Sequence, residues 1–90
     1  MSVKIEGRVQ GVYYRAWTDQ MARELGLNGT VRNANDGSVE AVFSGPADKV
    51  DEMLRRCADG PPDAQVSKVT VMKEGGLVSP GFRVLGTNWR

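Results

Sequence analysis

Two kinds of hydrophobic periodicity follow one another along this chain of 90 residues, and their order restricts the fold more than any other feature. Val3, Ile5, Gly7 and Val9 alternate with polar residues, which is typical of a half-buried strand. Apolar residues then recur at spacings of three and four, which predicts a helix; they are Tyr14, Trp17, Met21 and Leu25. Gly26 marks the expected end of this helix.

The rest of the chain continues this succession of strands and helices. Residues 28–33 and 38–43 flank Asp36-Gly37, a dipeptide typical of β-hairpins. Gly45-Pro46 precedes a second helix, since proline suits the first helical position. The inner face of this helix is predicted to contain Val50, Met53, Leu54 and Cys57. Strand alternation resumes over 66–73, and 82–85 is predicted to form a short last strand at a sheet edge.

This order predicts an α+β fold in a single domain over residues 1–90. The expected architecture is a ferredoxin-like α/β sandwich, βαββαβ plus a short C-terminal strand, with two helices on one face of an antiparallel sheet. In that topology the first two strands run in the same direction with the third between them. Their C-terminal ends therefore meet at the same edge of the sheet.

The turn at residues 7–15, Gly-Arg-Val-Gln-Gly-Val-Tyr-Tyr-Arg, connects the first strand to the first helix. Such a turn leaves backbone N–H groups unpaired at the positive end of the helix dipole, which favours an anion there. Arg15 adds a planar guanidinium suited to bidentate contact with phosphate or carboxylate. The spacing alone leaves an alternative open, in which the glycines only permit a tight turn and Arg15 is a solvated helix residue.

Asn33 ends the second predicted strand, and the strand order puts it roughly 10 Å, two strand spacings, from the 7–15 turn. It lies two residues after Val31, so its side chain is expected to point to the helix-covered face. Asn33 could instead satisfy backbone groups beside the Asp-Gly turn. Thr18, three residues after Arg15, could steady the site by a hydrogen bond or could be an ordinary surface threonine.

The residue types that the chain lacks argue against several kinds of site. It contains no histidine and one cysteine, so the commonest general base is missing and a zinc or iron–sulfur site is disfavoured. Cys57 fits a core position better than a nucleophile, because no histidine exists to activate it. One cysteine also forms no disulfide within the chain and suits a reducing compartment.

The charge balance and the N-terminus indicate where such a chain would work. Twelve Lys and Arg against eleven Asp and Glu give a net charge of +1, without the strong field of a general nucleic-acid binder. No apolar run has the length of a signal peptide or a membrane span. We therefore expect a soluble, cytoplasmic monomer that binds neither nucleic acid nor membranes.

Several segments together resemble the acylphosphatase family over nearly the whole chain. They are the 7–15 turn, Thr18, Leu-Gly-Leu-Asn-Gly-Thr-Val-Arg-Asn at 25–33, Asp-Gly-Ser-Val-Glu at 36–40 and Gly-Pro at 45–46. The first block is highly specific in combination with the second. The chain departs from the family pattern at Tyr14, where phenylalanine is usual, and at Ala34, where some members carry a hydroxyl residue that could brace the preceding asparagine.

The resemblance implies a ferredoxin-like fold and the hydrolysis of a small-molecule acyl phosphate to a carboxylate and inorganic phosphate, without metal or cofactor. Inorganic phosphate is then expected to act as an inhibitor as well as a product. The resemblance implies that the phosphoryl group is held by Arg15 together with the backbone amides of Val9, Gln10, Gly11 and Val12. It also implies that Asn33 orients the attacking water.

Two other functions fit parts of the pattern. Ferredoxin-like sheets often bind single-stranded RNA through aromatic residues on the open face. The first strand is expected to expose Lys4, Glu6 and Arg8 there, and the third Glu40, Val42 and Ser44, none of which is a stacking platform. The second alternative is a module acting on carbamoyl phosphate within a larger hydrogenase-maturation protein. The length of 90 residues argues against this alternative.

Overall fold

The computed structural model of the chain describes residues 1–75 and 78–86. Its elements in chain order are β1 (Ser2–Arg8), α1 (Tyr14–Glu24), β2 (Asn28–Asn33), β3 (Val39–Ser44), α2 (Ala47–Asp59), β4 (Gln65–Lys73) and β5 (Phe82–Val84). This is the succession that the periodicity predicts. Pro46 lies one residue before α2, so the second helix begins one position later than the Gly-Pro dipeptide suggested. Gly26, with a φ of 69°, follows the end of α1 as expected.

The core lies between one face of the sheet and the two helices. Alternate strand residues point into it and are buried, among them Val3, Ile5, Val31, Val39 and Phe43. The helices contribute two rows of buried side chains, Tyr14, Thr18 and Ala22 from α1 and Val50, Met53 and Cys57 from α2. Trp17, Met21 and Leu25, which the spacing placed in the apolar stripe of α1, are partly buried and pack around this core.

The pairing of the three inner strands agrees with the predicted topology. β3 lies between β1 and β2 and is antiparallel to both, so β1 and β2 run in the same direction. Ile5 is opposite Val39, and Val39 is opposite Asn33, so these residues form one row across the sheet. The 7–15 turn and the end of β2 therefore lie at the same edge.

The prediction of an antiparallel sheet is wrong for the last strand. The sheet is mixed: β5 pairs with β2 in parallel, and the order in space is β4-β1-β3-β2-β5, which differs from the order along the chain. β4 is antiparallel to β1, so it ends where β1 and β2 begin. The chain enters β5 at that same end, with Phe82 opposite Gly29, and β5 must then run in the direction of β2. A three-residue strand has too short a pattern to reveal its neighbour or its direction.

Among the residues that the structure describes, neither helix is long and apolar enough to cross a membrane.

Candidate functional site

An open pocket of about 550 Å³ lies where β1 and β2 end and α1 begins. Its lining residues are Val9, Gly11, Tyr13, Tyr14, Arg15, Ala16, Asp19, Asn33 and Val84. Arg15 and Asn33 come from different elements, 18 positions apart in the sequence, and the strand order brings both to this pocket. Both residues line this pocket at the edge of the sheet where the strand order predicts them, and their roles there stay a prediction.

The 7–15 turn enters α1 through an unusual backbone. Gly11 has a φ of 75°, and Tyr13, directly before the helix, has a φ of 63°, a value uncommon for a residue with a side chain. No side chain caps the helix, and its first turn contains no acidic residue. The first N–H groups of α1 therefore keep their positive partial charge at the pocket, which suits an anion.

Gly7 has a different task from Gly11. It has a φ of 122° and lies where the pairing of β1 with β4 shifts register. A Cβ at Gly7 would overlap the carbonyl oxygen of Gln65, so glycine permits the close approach of the two strands. At Gly11 a Cβ would meet no atom within 4 Å, so glycine is favoured there by the backbone conformation alone.

Of the four residues expected to offer backbone amides, Val9 and Gly11 line the pocket, whereas Gln10 and Val12 are not among its lining residues. The side chains of Val9 and Val12 are buried in the core. These two valines fix the turn to the protein interior on either side of Gln10 and Gly11. The binding of phosphate by the four amides stays a prediction.

Arg15 lies in the first turn of α1 and is held by the residue that follows the last strand. Its Nη1 donates to the carbonyl oxygen of Leu85, 3.0 Å away, just beyond β5. Arg23, two turns further along α1, donates from Nη2 to the carbonyl oxygen of Phe82 at 3.0 Å. The two arginines bind α1 to β5 and to the residue that follows it, and the contact with Leu85 holds the Arg15 guanidinium at the pocket. Nothing in the sequence pattern could indicate these acceptors, because every residue has a backbone carbonyl.

Asn33 is the last residue of β2, and the hairpin beyond it is closed by several polar contacts. Ala34 N–H donates to the carbonyl oxygen of Ser38 at 2.9 Å. Asp36 Oδ1 accepts from the Ser38 backbone N–H and hydroxyl, and its Oδ2 lies 2.7 Å from Lys4 Nζ. These contacts hold the pKa of the Asp36 carboxyl well below its ordinary value, and the hydrogen bond from Lys4 lowers it most. The strand that positions Asn33 therefore ends in an ordered turn.

The side chain of Gln10 was missed by the sequence analysis, which assigned only its backbone amide. Gln10 Nε2 donates to the carbonyl oxygens of Ala34 and Ser38, both at 2.8 Å. One side chain of the 7–15 turn thus holds the hairpin that begins directly after Asn33. The sequence could single out Gln10 only as a member of the specific 7–15 block. That membership does not indicate the direction in which its side chain points.

Thr18 is neither a surface residue nor a direct partner of the polar side chains in the pocket. It is fully buried, and its Oγ1 donates to the Tyr14 carbonyl oxygen at 2.8 Å, so the surface interpretation is wrong. Among the hydrogen bonds of the described residues, none joins it to Arg15 or Asn33. A supporting role through the first turn of α1 stays a prediction.

Tyr14 binds the two helices to each other. Its hydroxyl donates to the carbonyl oxygen of Cys57 at 2.6 Å, inside the core. In a continuing helix the N–H of residue 61 would donate to this carbonyl, but residue 61 is a proline and has no N–H. Burial raises the pKa of the Cys57 thiol to about 12, in keeping with the predicted core position and against a nucleophilic role.

The charged groups of the site suit an anion that needs positioning. Arg15 supplies a cation, the start of α1 supplies partial positive charge, and Asn33 supplies a neutral donor and acceptor. Asp19 also lines the pocket, and its carboxylate accepts from Arg23 Nε at 2.9 Å. Over residues 1–75 and 78–86, no group of three or more Cys, Asp or Glu side chains is arranged to hold a metal ion.

Comparison with known proteins identifies relatives of this arrangement. The acylphosphatase family model matches residues 1–84. An acylphosphatase from Rhizorhabdus wittichii is 52% identical over 80 residues, covering 89% of this chain and 81% of the relative. A solved acylphosphatase structure from Coxiella burnetii superposes with a TM-score of 0.88 at 36% identity and covers 93% of this chain and 88% of that one.

The fold also occurs inside a larger protein. A crystal structure of full-length HypF in a phosphate- and nucleotide-bound form superposes with a TM-score of 0.82. The identity is 24%, and the match covers 96% of this chain but 11% of HypF, so this likeness concerns the fold alone. The family model, the identity of about one half to curated acylphosphatases and the shared structure together show that this chain belongs to the acylphosphatase family.

Proposed function

We propose that the chain is a single-domain acylphosphatase that hydrolyses the carboxyl-phosphate bond of acyl phosphates. Arg15 and the backbone amides of residues 9–12 hold the phosphoryl group, and Asn33 orients the attacking water. The observation that carries this proposal is the pocket at the start of α1, which Val9, Gly11, Arg15 and Asn33 line together. Thr18 supports the site indirectly, since its hydroxyl binds the Tyr14 carbonyl in the helical turn that contains Arg15.

The leaving group decides what the site must supply. An acyl phosphate releases a carboxylate, whose conjugate acid has a pKa of about 4, so it departs without a proton and no general acid is needed. Phosphoryl transfer is loose, and its catalysis comes from positioning and from neutralising charge on the equatorial oxygens. A guanidinium and a set of N–H donors meet this requirement.

The attacking water must still lose its proton. Asn33 binds water through an amide, which is not a useful base, so it positions the water and deprotonates nothing. We assign the proton to a phosphoryl oxygen of the substrate. The carboxylate of Asp19 also lines the pocket, but it accepts a hydrogen bond from Arg23 Nε at 2.9 Å, and we assign it no part in this proton transfer.

The proposal extends to the setting in which the enzyme works. A small-molecule acyl phosphate is the substrate, and inorganic phosphate is a product that also inhibits. We propose a cytoplasmic monomer without affinity for nucleic acid or membranes, and without a cofactor. The buried, free thiol of Cys57 supports a reducing compartment, and the polar strand residues of the uncovered sheet face, such as Lys4 and Glu40, offer no base-stacking surface.

The test is an assay of benzoyl, acetyl and carbamoyl phosphate hydrolysis by the purified protein in a chelating buffer. We expect turnover of the acyl phosphates that is insensitive to the chelator. Preference for carbamoyl phosphate would favour the hydrogenase-maturation type of activity, and activity abolished by chelation would overturn the metal-free proposal.

The proposed role of Asn33 is tested in the same assay with Asn33→Ala. Loss of one positioned group at such a site costs on the order of a hundred- to a thousandfold in rate. We expect kcat to fall by that factor while inhibition by inorganic phosphate persists, because Arg15 and the amides remain. A folded Asn33→Ala variant with the parent kcat would contradict the role of Asn33.

A further inference from the structure

We infer that the side chain of Gln10 is a positioning residue that holds Asn33 in register with the phosphate-binding turn. The inference rests on the proposed role of Asn33. It concerns the Gln10 side chain, whereas the phosphate-binding proposal concerns its backbone amide.

The contact joins two segments that are far apart in the sequence. Gln10 Nε2 donates one hydrogen to the carbonyl oxygen of Ala34 and the other to that of Ser38, each at 2.8 Å. Both acceptors are carbonyl oxygens, so only the NH₂ group of Gln10 can face them. This requirement fixes the orientation of the Gln10 side-chain amide. The two amide hydrogens bridge the two ends of the hairpin turn at residues 34–38.

This bridge bears directly on Asn33. Asn33 is paired with Val39, and the two bonds from Gln10 reach the residues directly after Asn33 and directly before Val39. β1 and β2 are not paired with each other, because β3 lies between them. Gln10 therefore provides a direct connection between the segment assigned to the phosphoryl group and the hairpin assigned to the water.

A second contact holds the same hairpin without involving the pocket. Arg32, the neighbour of Asn33, points to the other side of the sheet and donates to Glu40 Oε1 at 2.6 Å. Loss of this ion pair loosens the β2–β3 pairing but leaves Gln10 in place. Arg32→Met is therefore a matched control for general weakening of the hairpin.

The consequence for catalysis follows from the sensitivity of positioned groups. A misplacement of 1 Å costs on the order of a hundredfold in rate, so freeing the hairpin from the turn should lower kcat by about ten- to a hundredfold. The phosphoryl group is held by Arg15 and by backbone amides, which keep their positions through buried Val9 and Val12. KM and the inhibition constant of inorganic phosphate should therefore change by less than about threefold.

The experiment is a double-mutant cycle with benzoyl phosphate as substrate and inorganic phosphate as inhibitor. The proteins are the parent, Gln10→Met, Asn33→Ala and the double variant. We expect Gln10→Met to lower kcat strongly in the parent background and by less than about twofold in the Asn33→Ala background. Arg32→Met should leave kcat within about twofold of the parent.

Several results would overturn the inference. Equal losses of kcat from Gln10→Met in both backgrounds would mean that Gln10 does not act through Asn33. If the inhibition constant of inorganic phosphate rises by a larger factor than kcat falls, Gln10 would be assigned to phosphate binding instead. If Gln10→Met does not fold, Gln10→Asn, which keeps the amide but is one methylene too short, takes its place with the same expected split. Parent activity in Asn33→Ala itself would instead contradict the proposed function.

Discussion

Helices α1 and α2 lie side by side on the same sheet, and their first turns are built for different purposes. α2 carries Asp48 in its first turn, where a carboxylate offsets the positive end of the helix dipole. α1 has no acidic residue there, begins after a tyrosine with positive φ and carries Arg15 instead. In α2 the positive partial charge of the helix start is offset by Asp48. In α1 the same partial charge is not offset and faces the pocket that Asn33 also lines. A helix start that lacks stabilising charge is a place where a ligand can supply it.

The largest effect expected from this difference concerns Arg15. Arg15→Ala should lower kcat/KM for benzoyl phosphate by a hundred- to a thousandfold or more, because it removes a positioned cation from the phosphoryl group. It should also weaken inhibition by inorganic phosphate. Steady-state kinetics with both ligands measure the two effects.

The matched control is Arg55→Ala on α2. Arg55 is exposed and pairs with Glu52 within its own helix, so its loss should leave the kinetics unchanged. Equal losses of activity in the two variants would contradict the assignment of the site to α1.

A smaller effect is expected when the first turn of α1 is made to resemble that of α2. Ala16 lines the pocket in this turn, and Ala16→Asp puts a carboxylate near the phosphoryl site. Repulsion between like charges should weaken inhibition by inorganic phosphate by about tenfold at low salt. The same carboxylate should stabilise the helix start by about 0.3–1 kcal/mol, which urea denaturation measures.

The reciprocal change is Asp48→Ala on α2. It should lower the free energy of unfolding by about 0.3–1 kcal/mol and leave phosphate inhibition at the parent level. Tighter phosphate binding in Ala16→Asp would show that the start of α1 is not the anion site.

A further prediction concerns the contact between the two helices. Tyr14→Phe leaves the buried Cys57 carbonyl without its donor, since residue 61 is a proline, and should destabilise the fold by about 1–2 kcal/mol. The urea midpoint at constant m-value measures this loss.

Tyr13 provides the neighbouring control for Tyr14. It is 81% exposed, so Tyr13→Phe should change the free energy of unfolding by less than about 0.5 kcal/mol. Equal midpoints for the two variants would mean that the Tyr14 hydroxyl contributes nothing to the packing of α1 against α2.

The smallest effect is expected on the polar face of α2. Hydrogen bonds from Arg55 and then Arg56 lower the pKa of Glu52 from its ordinary value of 4.5. A lowered pKa in the folded state means that the carboxylate stabilises the fold above about pH 4.5 and that this contribution is lost as the pH falls below it. The difference in melting temperature between the parent and Glu52→Gln should therefore shrink from pH 6 to pH 3. A difference that stays constant over this range would contradict the pairing.

Much of the fold and of the candidate site could be predicted because local rules govern them. Alternation in β1 and the hairpin signal at Asp36-Gly37 depend on residues close together in the chain, and the order of elements then places β3 between β1 and β2. The meeting of Arg15 and Asn33 follows from that order alone. The direction of β5 does not, because it depends on the end of the sheet at which the chain arrives.

The missed contacts share one property, which is that they join distant parts of the chain. The hydroxyl of Tyr14 reaches Cys57, the guanidinium of Arg15 reaches Leu85, and the amide of Gln10 reaches the hairpin after Asn33. The sequence allows Thr18 a supporting or a surface role, and only its position in the packed core shows that it is buried. Side-chain directions of this kind appear when the elements pack.

The amino-acid sequence by itself determined the elements, their order and the edge of the sheet at which an arginine, an asparagine and the start of a helix meet. These follow from periodicity and turn residues, which are properties of short segments of the chain. The tertiary structure alone decided that β5 completes a mixed sheet, that Leu85 just beyond it holds Arg15, and that Gln10 joins the 7–15 turn to the hairpin of Asn33. The physical reason is that backbone carbonyls accept these bonds, and every residue has one, so only packing selects which carbonyl each donor reaches.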